Sequence, residues 1–428
     1  MKCFQFSKGQ KDKHQARNLA SSQSSSGSEF NTLHDVFDLS AASMRRSPLP
    51  TFSQKPSNLR VFTFSELKNA TKNFSRSVVL GEGGFGSVYR GSIKSLDDPP
   101  IKIEVAVKQL SRKGVQGHKE WLTEVNVLGI VDHPNLVKLI GYCAEDDERG
   151  MQRLLIYEFM PNRSVHDHLS TRSTTHIPWA RRLRIALDAA RGLTYLHEEM
   201  DFQIIFRDFK TSNILLDENW NAKLSDFGLA RQGPAEGLTH VSTAVVGTIG
   251  YAAPEYIQTG RLTSKSDIWS YGVFLYELIT GRRPLDKNRP KNEQKLLEWI
   301  KPNISDVKKF SRIIDPRLEA DYSLQSVTRL ASVANRCLVR QSKARPKMSE
   351  VLEMVQRIVD TQETGVPEFP MKIPSINETR PEEKKKKRLN LKGLGLSMTL
   401  KMSGDMKSGE GRKLVWHGWT PKFVKTHY

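Results

Sequence analysis

From about residue 61 to residue 365, hydrophobic positions recur with the periods of regular secondary structure, and on either side they thin out. The first part of this stretch reads as strands. Val78, Val79 and Leu80 lead into a glycine-rich turn, Val88 and Tyr89 lead out of it, and Val105-Ala106-Val107-Lys108 is a short β-branched run. A helix-like pattern follows at about 117–129. From Ala180 onward helices dominate: Leu183, Leu187, Ala190, Leu193 and Leu196 recur at three- and four-residue spacing, which predicts an amphipathic helix. The segment at roughly 266–280 is apolar on most faces, as a buried helix would be, and a further helix at roughly 349–360 closes the pattern. A smaller strand-rich half before a larger helical half predicts an α+β fold of two lobes, about 61–160 and 161–365, with a cleft between them.

The flanks read differently. Residues 1–60 are rich in Ser, Lys and Gln, with a serine cluster at 21–28. Such a segment buries too little apolar surface to offset its ordering entropy, so it reads as disordered. Past residue 366 come Pro367, Pro370, Pro374 and Pro381, a basic run at Lys384-Lys385-Lys386-Lys387-Arg388, and a tail rich in Gly, Lys and Met. The net charge is +19, from 66 basic and 47 acidic residues. Residues 1–60 carry +5 and residues 371–428 carry +9, so the middle holds only +5 and the excess basicity belongs to the ends. DNA binding through such tails would be salt-dependent and non-specific, and no nucleic-acid module is visible, so no specific nucleic-acid partner is expected. The 384–388 run has the composition of a nuclear localisation signal and equally of a solvated linker. Trp416, Trp419 and Phe423 have no evident role. Three cysteines, Cys3, Cys143 and Cys337, without metal-ligand spacing, fit a reducing compartment. No run of about 18 apolar residues predicts a transmembrane helix, and no secretory signal follows Lys2.

Four groups of residues carry candidate chemistry. Gly81-Glu82-Gly83-Gly84-Phe85-Gly86-Ser87-Val88 lies between two strands rather than between a strand and a helix, which argues against a dinucleotide fingerprint. A glycine hairpin lets backbone N–H groups approach phosphate oxygens. Lys108 follows at a spacing suited to gripping a phosphate, and needs a carboxylate to hold its ammonium. Glu124 on the next helix is the preferred partner and Glu120 the alternative. In Phe206-Arg207-Asp208-Phe209-Lys210-Thr211-Ser212-Asn213, Asp208 can accept or orient a hydroxyl proton, Lys210 can neutralise phosphoryl charge, and Asn213 offers a carbonyl oxygen to a metal ion. Asp226-Phe227-Gly228 places a carboxylate beside a glycine, suited to Mg²⁺ bridging phosphates.

In this order the groups resemble the motif set of the eukaryotic protein kinases, completed by Ala253-Pro254-Glu255. The resemblance implies a serine/threonine kinase using ATP and Mg²⁺, with Mn²⁺ as an alternative ion. It implies Asp208 as catalytic base, Asn213 and Asp226 as metal ligands, an ion pair between Glu255 and Arg345, and Asp267 as a brace for the catalytic loop. It places Tyr157 at the gatekeeper position and Glu158 to Met160 at the hinge, and adds Leu80, Ala106 and Leu215 to the nucleotide site. Serine/threonine specificity follows from Lys210 within Asp-x-Lys-x-x-Asn and from Thr248, which in the family touches the catalytic aspartate and lysine.

A narrower resemblance rests on Phe62-Thr63-Phe64-Ser65-Glu66-Leu67, Gly117-His118-Lys119-Glu120-Trp121-Leu122, His133-Pro134-Asn135-Leu136-Val137 and Arg207-Asp208-Phe209-Lys210. These are similar to plant receptor-like cytoplasmic kinases of subfamily VII, which implies a monomer relaying signals from upstream receptor kinases in defence to protein substrates. Phe206 stands where the family has His; an aromatic ring there is expected to pack beside Phe227. Arg207 implies control by phosphorylation of the segment Thr239–Ala244, with Ser242 and Thr243 as the sites and Thr248 as a further one. Lys2 after Met1 excludes N-myristoylation. Cys3 among Lys2, Lys8, Lys11 and Lys13 suits S-acylation and attachment to the inner leaflet of the plasma membrane, with cytoplasm and nucleus as other locations. The competing reading is a pseudokinase scaffold or a membrane-tethered adaptor that acts by binding.

Overall fold

The computed structural model describes residues 58–364, apart from 84–85, 97, 111–114, 149, 172, 174–175, 305 and 320. The chain divides into two compact units, Met1–Ile373 and Pro374–Tyr428; the second lies outside the described residues.

The N-terminal half is a six-stranded sheet with two helices. In chain order it runs β1 (Arg60–Val61), α1 (Phe64–Ala70), β2 (Val79–Gly83), β3 (Gly86–Lys94), β4 (Lys102–Leu110), α2 (Val115–Leu128), β5 (Leu139–Cys143) and β6 (Leu154–Glu158). The strand order is β1-β5-β6-β4-β3-β2. The β1–β5 pair is parallel and the others antiparallel. Because side chains alternate across a strand, β4 sends Val105 and Val107 into an upper cluster with Phe62, Leu67, Ile93 and Cys143. The intervening Ala106 and Lys108 face the opposite side. β6 is buried on both faces, Leu154 and Ile156 above and Leu155 and Tyr157 below, which is why it reads as an unbroken apolar run.

The strap from β1 to α1 is seated by local chemistry. Thr63 caps α1 and Glu66 returns the bond to the Thr63 amide, a capping box worth about 1 kcal/mol. The Phe62 amide donates to Tyr142 O at 2.8 Å. Gly141 is required there, since a Cβ would overlap Arg60 O and the Phe62 ring.

The C-terminal half is helical. It contains α3 (Val165–Leu169), α4 (Trp179–Thr194), α5 (Pro254–Thr259), α6 (Ser264–Thr280), α7 (Leu324–Cys337) and α8 (Met348–Thr364), with shorter turns between. Three short strand pairs border the cleft and activation segment: β7 (Ile204–Ile205) with β10 (Arg231–Gln232), β8 (Ile214–Leu216) with β9 (Ala222–Leu224), and β11 (Val241–Ser242) with β12 (Arg261–Leu262). α6 is buried along almost its whole length and stops at Gly281, a left-handed cap. α8 packs on α4 and α7 on α6.

The α+β architecture agrees with the sequence reading. Two local expectations shift. Val78 lies in a 3₁₀ turn, Arg76–Val78, capped by Ser75, and the strand begins at Val79. Leu196 lies not in α4 but in a π-helical turn, Tyr195–Glu199, that follows it. Cys143 and Cys337 are buried thiols. No described helix is long and apolar enough to cross a membrane.

Candidate active site

β2 and β3 form the glycine hairpin, with Glu82 opposite Ser87 and Gly83 opposite Gly86. Gly86 has φ of 136°, and a Cβ there would overlap Gln109 O of β4. Glycine is therefore dictated by close approach as well as by backbone angle. Gly84 and Phe85 lie outside the described residues. Leu80 is exposed on β2 and Val88 stands opposite Lys108 on β4.

Lys108 Nζ donates to Glu124 Oε1 at 2.6 Å and to Asp226 Oδ1 at 2.9 Å. Of the two carboxylates considered from the sequence, the one on Lys108 is Glu124, fully buried on α2. Burial alone would lower the Lys108 pKa, but the charges of Asp226 and Glu124 hold it well above the usual lysine value. For Asp226 burial works upward, and the Lys108 charge overcomes it, keeping the carboxylate below its ordinary range. Tyr157 donates its phenol to Glu124 Oε2, a bond that the gatekeeper assignment did not anticipate. The Glu158 side chain turns away from the cleft, accepting from Lys223 Nζ at 2.8 Å and from the Lys138 amide at 2.8 Å. Any contact of Glu158 with a nucleotide is therefore through its backbone. Met160 is buried, and Ala106 and Leu215 are half-buried on the sheet and on β8.

Across the cleft, Lys210 Nζ donates to Asp208 Oδ2 at 2.6 Å and to Thr248 Oγ1 at 3.2 Å, while the Thr248 hydroxyl donates to Asp208 Oδ1 at 2.7 Å. Thr248 is buried and committed to Asp208. That counts against it as a phosphorylation site, because a phosphate would have to break this bond. Asn213 Nδ2 donates to Asp208 O at 3.0 Å, a bond that does not engage its carbonyl oxygen. Asp226 and Arg207 have φ of 65° and 74°. Left-handed backbone at non-glycine residues costs on the order of 1–3 kcal/mol and persists where surrounding contacts over-determine it.

Those contacts come from α6. Asp267 accepts from the amides of Phe206 and Arg207, each at 2.8 Å, and from His197 Nε2 at 2.8 Å. His197 belongs to the π-helical turn after α4; its part was not legible, since nothing in the spacing marks a wide turn. Phe206 meets Phe227 edge-on with ring centroids 4.9 Å apart. The aromatic ring in place of histidine thus packs against the neighbouring phenylalanine.

The activation segment is tied to the same loop. Arg207 Nη2 donates to Thr243 Oγ1 at 2.9 Å and to Ala244 O, and Arg207 Nε donates to Tyr256 Oη at 2.9 Å. Ser242 is exposed on β11, opposite Arg261. Arg231 was not singled out from the sequence. Its pKa is lowered first by partial burial and then by the charge of Arg207. Cys3 and the 384–388 run lie outside the described residues.

A strand-rich lobe with a lysine–glutamate pair, facing a helical lobe with a braced Asp–Lys–Asn loop, is the architecture of a protein kinase. Residues 74–355 match the model of the protein tyrosine and serine/threonine kinase family, and the chain belongs to that family. It is 68% identical over 371 residues to the serine/threonine-protein kinase PCRK1 of Arabidopsis thaliana, covering 84% of this chain and 88% of that one. It is 64% identical to serine/threonine-protein kinase PCRK2 of the same plant, over 85% and 89% of the two chains. Receptor-like cytoplasmic kinase 176 of Oryza sativa subsp. japonica is 50% identical, over 75% of this chain and 82% of its own. The chain is a serine/threonine protein kinase similar to the plant receptor-like cytoplasmic kinases, and as such uses ATP and a divalent metal ion.

Proposed function

We propose that the catalytic domain, residues 61–365 between flanks 1–60 and 366–428, transfers the γ-phosphate of MgATP to Ser or Thr of protein substrates by the following division of labour. Asp208 orients the acceptor hydroxyl and takes its proton. Lys210, already on Asp208, stabilises the charge developing on the transferred group. Lys108, held by Glu124, positions the phosphates, and the glycine hairpin Gly81–Val88 covers them. Asn213 and Asp226 hold Mg²⁺, which when bound neutralises phosphate charge; a carboxylate and an amide oxygen are hard donors suited to it. The nucleotide base is taken between Leu80, Ala106, Tyr157, Met160 and Leu215, with the backbone of Glu158. The observation that carries the reading is Lys108 on both Glu124 and Asp226 at 2.6 and 2.9 Å, which joins groups from three separate elements into one phosphate site.

Regulation by phosphorylation of Thr243 and Ser242 is supported by Arg207 on the Thr243 hydroxyl. Action downstream of receptor kinases in plant defence is supported by the similarity to receptor-like cytoplasmic kinases; action as a monomer rests on the sequence reading alone. Attachment to the inner leaflet through acylated Cys3 rests on the N-terminal sequence alone, and a nuclear location on the basic run 384–388; a cytoplasmic location is supported by the similarity to receptor-like cytoplasmic kinases.

The test is transfer of labelled phosphate from ATP with Mg²⁺, comparing the natural chain with Lys108→Glu and Asp226→Asn, followed by mapping of labelled residues. Incorporation on Ser and Thr by the natural chain and not by the variants is expected. Equal incorporation by the variants would sink the assignment of roles.

A further inference from the structure

Beside the catalytic loop stand cations that phosphoryl transfer does not use. Arg282 and Arg283 follow Gly281 at the end of α6. Arg282 is tied down: Nη1 meets Glu293 Oε2 at 2.8 Å, and the guanidinium lies 3.5 Å from the Trp299 ring centroid. Arg283 is exposed and makes no ion pair, side-chain hydrogen bond or ring contact among the described residues.

Its surroundings lead to the acceptor site. The next residue, Pro284, lies against Gly250, where an added Cβ would come within 2.9 Å of Pro284 Cβ. Gly250 is two positions past Thr248, whose hydroxyl is on Asp208. On the other side of the loop, α3 packs against the turn Thr211–Asn213 and carries the half-buried His166. The His166 pKa is lowered first by burial and then by the charge of Arg283, with Asp167 opposing and Lys210 adding to it. Arg283, His166 and Lys210 therefore share one electrostatic neighbourhood.

The nearby carboxyl groups offset this charge only in part. Glu277 is buried and accepts from Tyr251 and Thr211; burial pushes its pKa up to about 8, so it is mostly protonated at neutral pH. Asp167 is committed to the cap of α3, accepting from the Ser164 amide at 3.1 Å and hydroxyl at 2.7 Å. Asp208 is held by Lys210.

We propose that Arg283 and His166 form an anion subsite beside the catalytic loop, which selects protein substrates carrying an anionic side chain close to the Ser/Thr acceptor. The planar guanidinium fork matches both carboxylate and phosphate, so Asp, Glu and phosphoserine share the chemistry. The subsite deepens the kinase assignment and rests on it.

The test uses the full chain and a set of peptides with one Ser acceptor and neutral flanks, in which Glu, phosphoserine, Lys or Ala is placed at each flanking position in turn. At one or two adjacent positions Glu is expected to raise kcat/KM over Ala by about fivefold, the upper range for an exposed ion pair, and the preference is expected to fall with added salt. A larger gain from phosphoserine than from Glu would identify a previously phosphorylated substrate as the source, and equal gains an acidic one. Arg283→Ala is expected to bring the Glu-to-Ala ratio close to one, Arg283→Glu to turn the preference toward Lys, and His166→Ala to weaken it. A merely structural role for Arg283 would not reverse the sign. No position at which an anion raises kcat/KM, or a ratio unchanged in both Arg283 variants, would overturn the subsite. So would a chain that phosphorylates itself but no peptide. A chain that labels neither itself nor any peptide would overturn the kinase assignment first.

Discussion

Glu255 and Arg345, 90 positions apart, meet in a two-pronged ion pair, with Nη1 on Oε1 and Nη2 on Oε2 at 2.7 Å each. The arginine is buried, donates further to Val339 O and Lys265 O at 2.8 Å, and lies over the Trp269 ring. The pair locks the start of α5, just after the activation segment, to the chain between α7 and α8. Removing the carboxylate leaves a buried guanidinium without its counter-charge, which costs about 3–5 kcal/mol. Glu255→Ala is therefore expected to lower the denaturation midpoint strongly, as read by urea titration. A midpoint equal to that of the natural chain would show that the pair does not hold the lobe.

Tyr157 offers a milder test of the lysine–glutamate pair. Its phenol satisfies the second oxygen of Glu124, and Tyr157→Phe leaves that buried oxygen with less than it needs, a loss of about 1–3 kcal/mol. The variant is expected to melt earlier and to retain reduced phosphoryl transfer, whereas Lys108→Ala, which leaves Glu124 and Asp226 without their counter-charge, is expected to melt earlier still and to lose transfer. Thermal melts beside kcat measurements separate the two. A Tyr157→Phe chain that melts later than the natural one would contradict the reading.

Thr243 and Ser242 are adjacent but not equivalent. Only Thr243 places its hydroxyl on Arg207, at 2.9 Å; Ser242 is exposed. A phosphate on Thr243 would gain charge-assisted bonds to guanidinium. Thr243→Ala is expected to reduce kcat by about tenfold or more, and Ser242→Ala by much less. The comparison needs chain treated with phosphatase and then reactivated by ATP; the reverse order of effects would assign the switch to Ser242.

Glu277 predicts a pH dependence of stability. Burial raises its folded pKa to about 8 from the ordinary carboxyl value of 4.5. A raised folded pKa on an acid means that its contribution is complete below the unfolded value and is lost as pH rises through the folded one. Around the carboxyl stand Tyr251 and Thr211 as donors and Arg283 as a partly opposing charge. Between about pH 5 and pH 8 the natural chain is expected to lose stability relative to Glu277→Gln, by a few kcal/mol. Parallel denaturation curves of the two chains over that range would show that Glu277 does not titrate.

Much of the fold was legible because local pattern and global fold agree. The alternation at Val105-Ala106-Val107-Lys108 determined which face of β4 carries the lysine, and the apolar run at 266–280 determined a helix buried on all sides. Motif order and spacing determined the kinase family, since chemistry on phosphate constrains glycine, lysine, aspartate and asparagine to fixed intervals. Periodicity could not show where α4 gives way to a π-helical turn, nor that His197 within that turn bonds to Asp267, 70 positions away. It could not choose Glu124 over Glu120 by more than preference, because two carboxylates four residues apart share a helix face and only the packing of α2 against β4 decides which meets Lys108. It could not separate Arg282 from Arg283, identical in type and adjacent, of which Glu293 and Trp299 engage one. Short-range spacing is written in the chain; which of two equal side chains finds a partner depends on residues brought in from far along it, and that is settled only when the core packs.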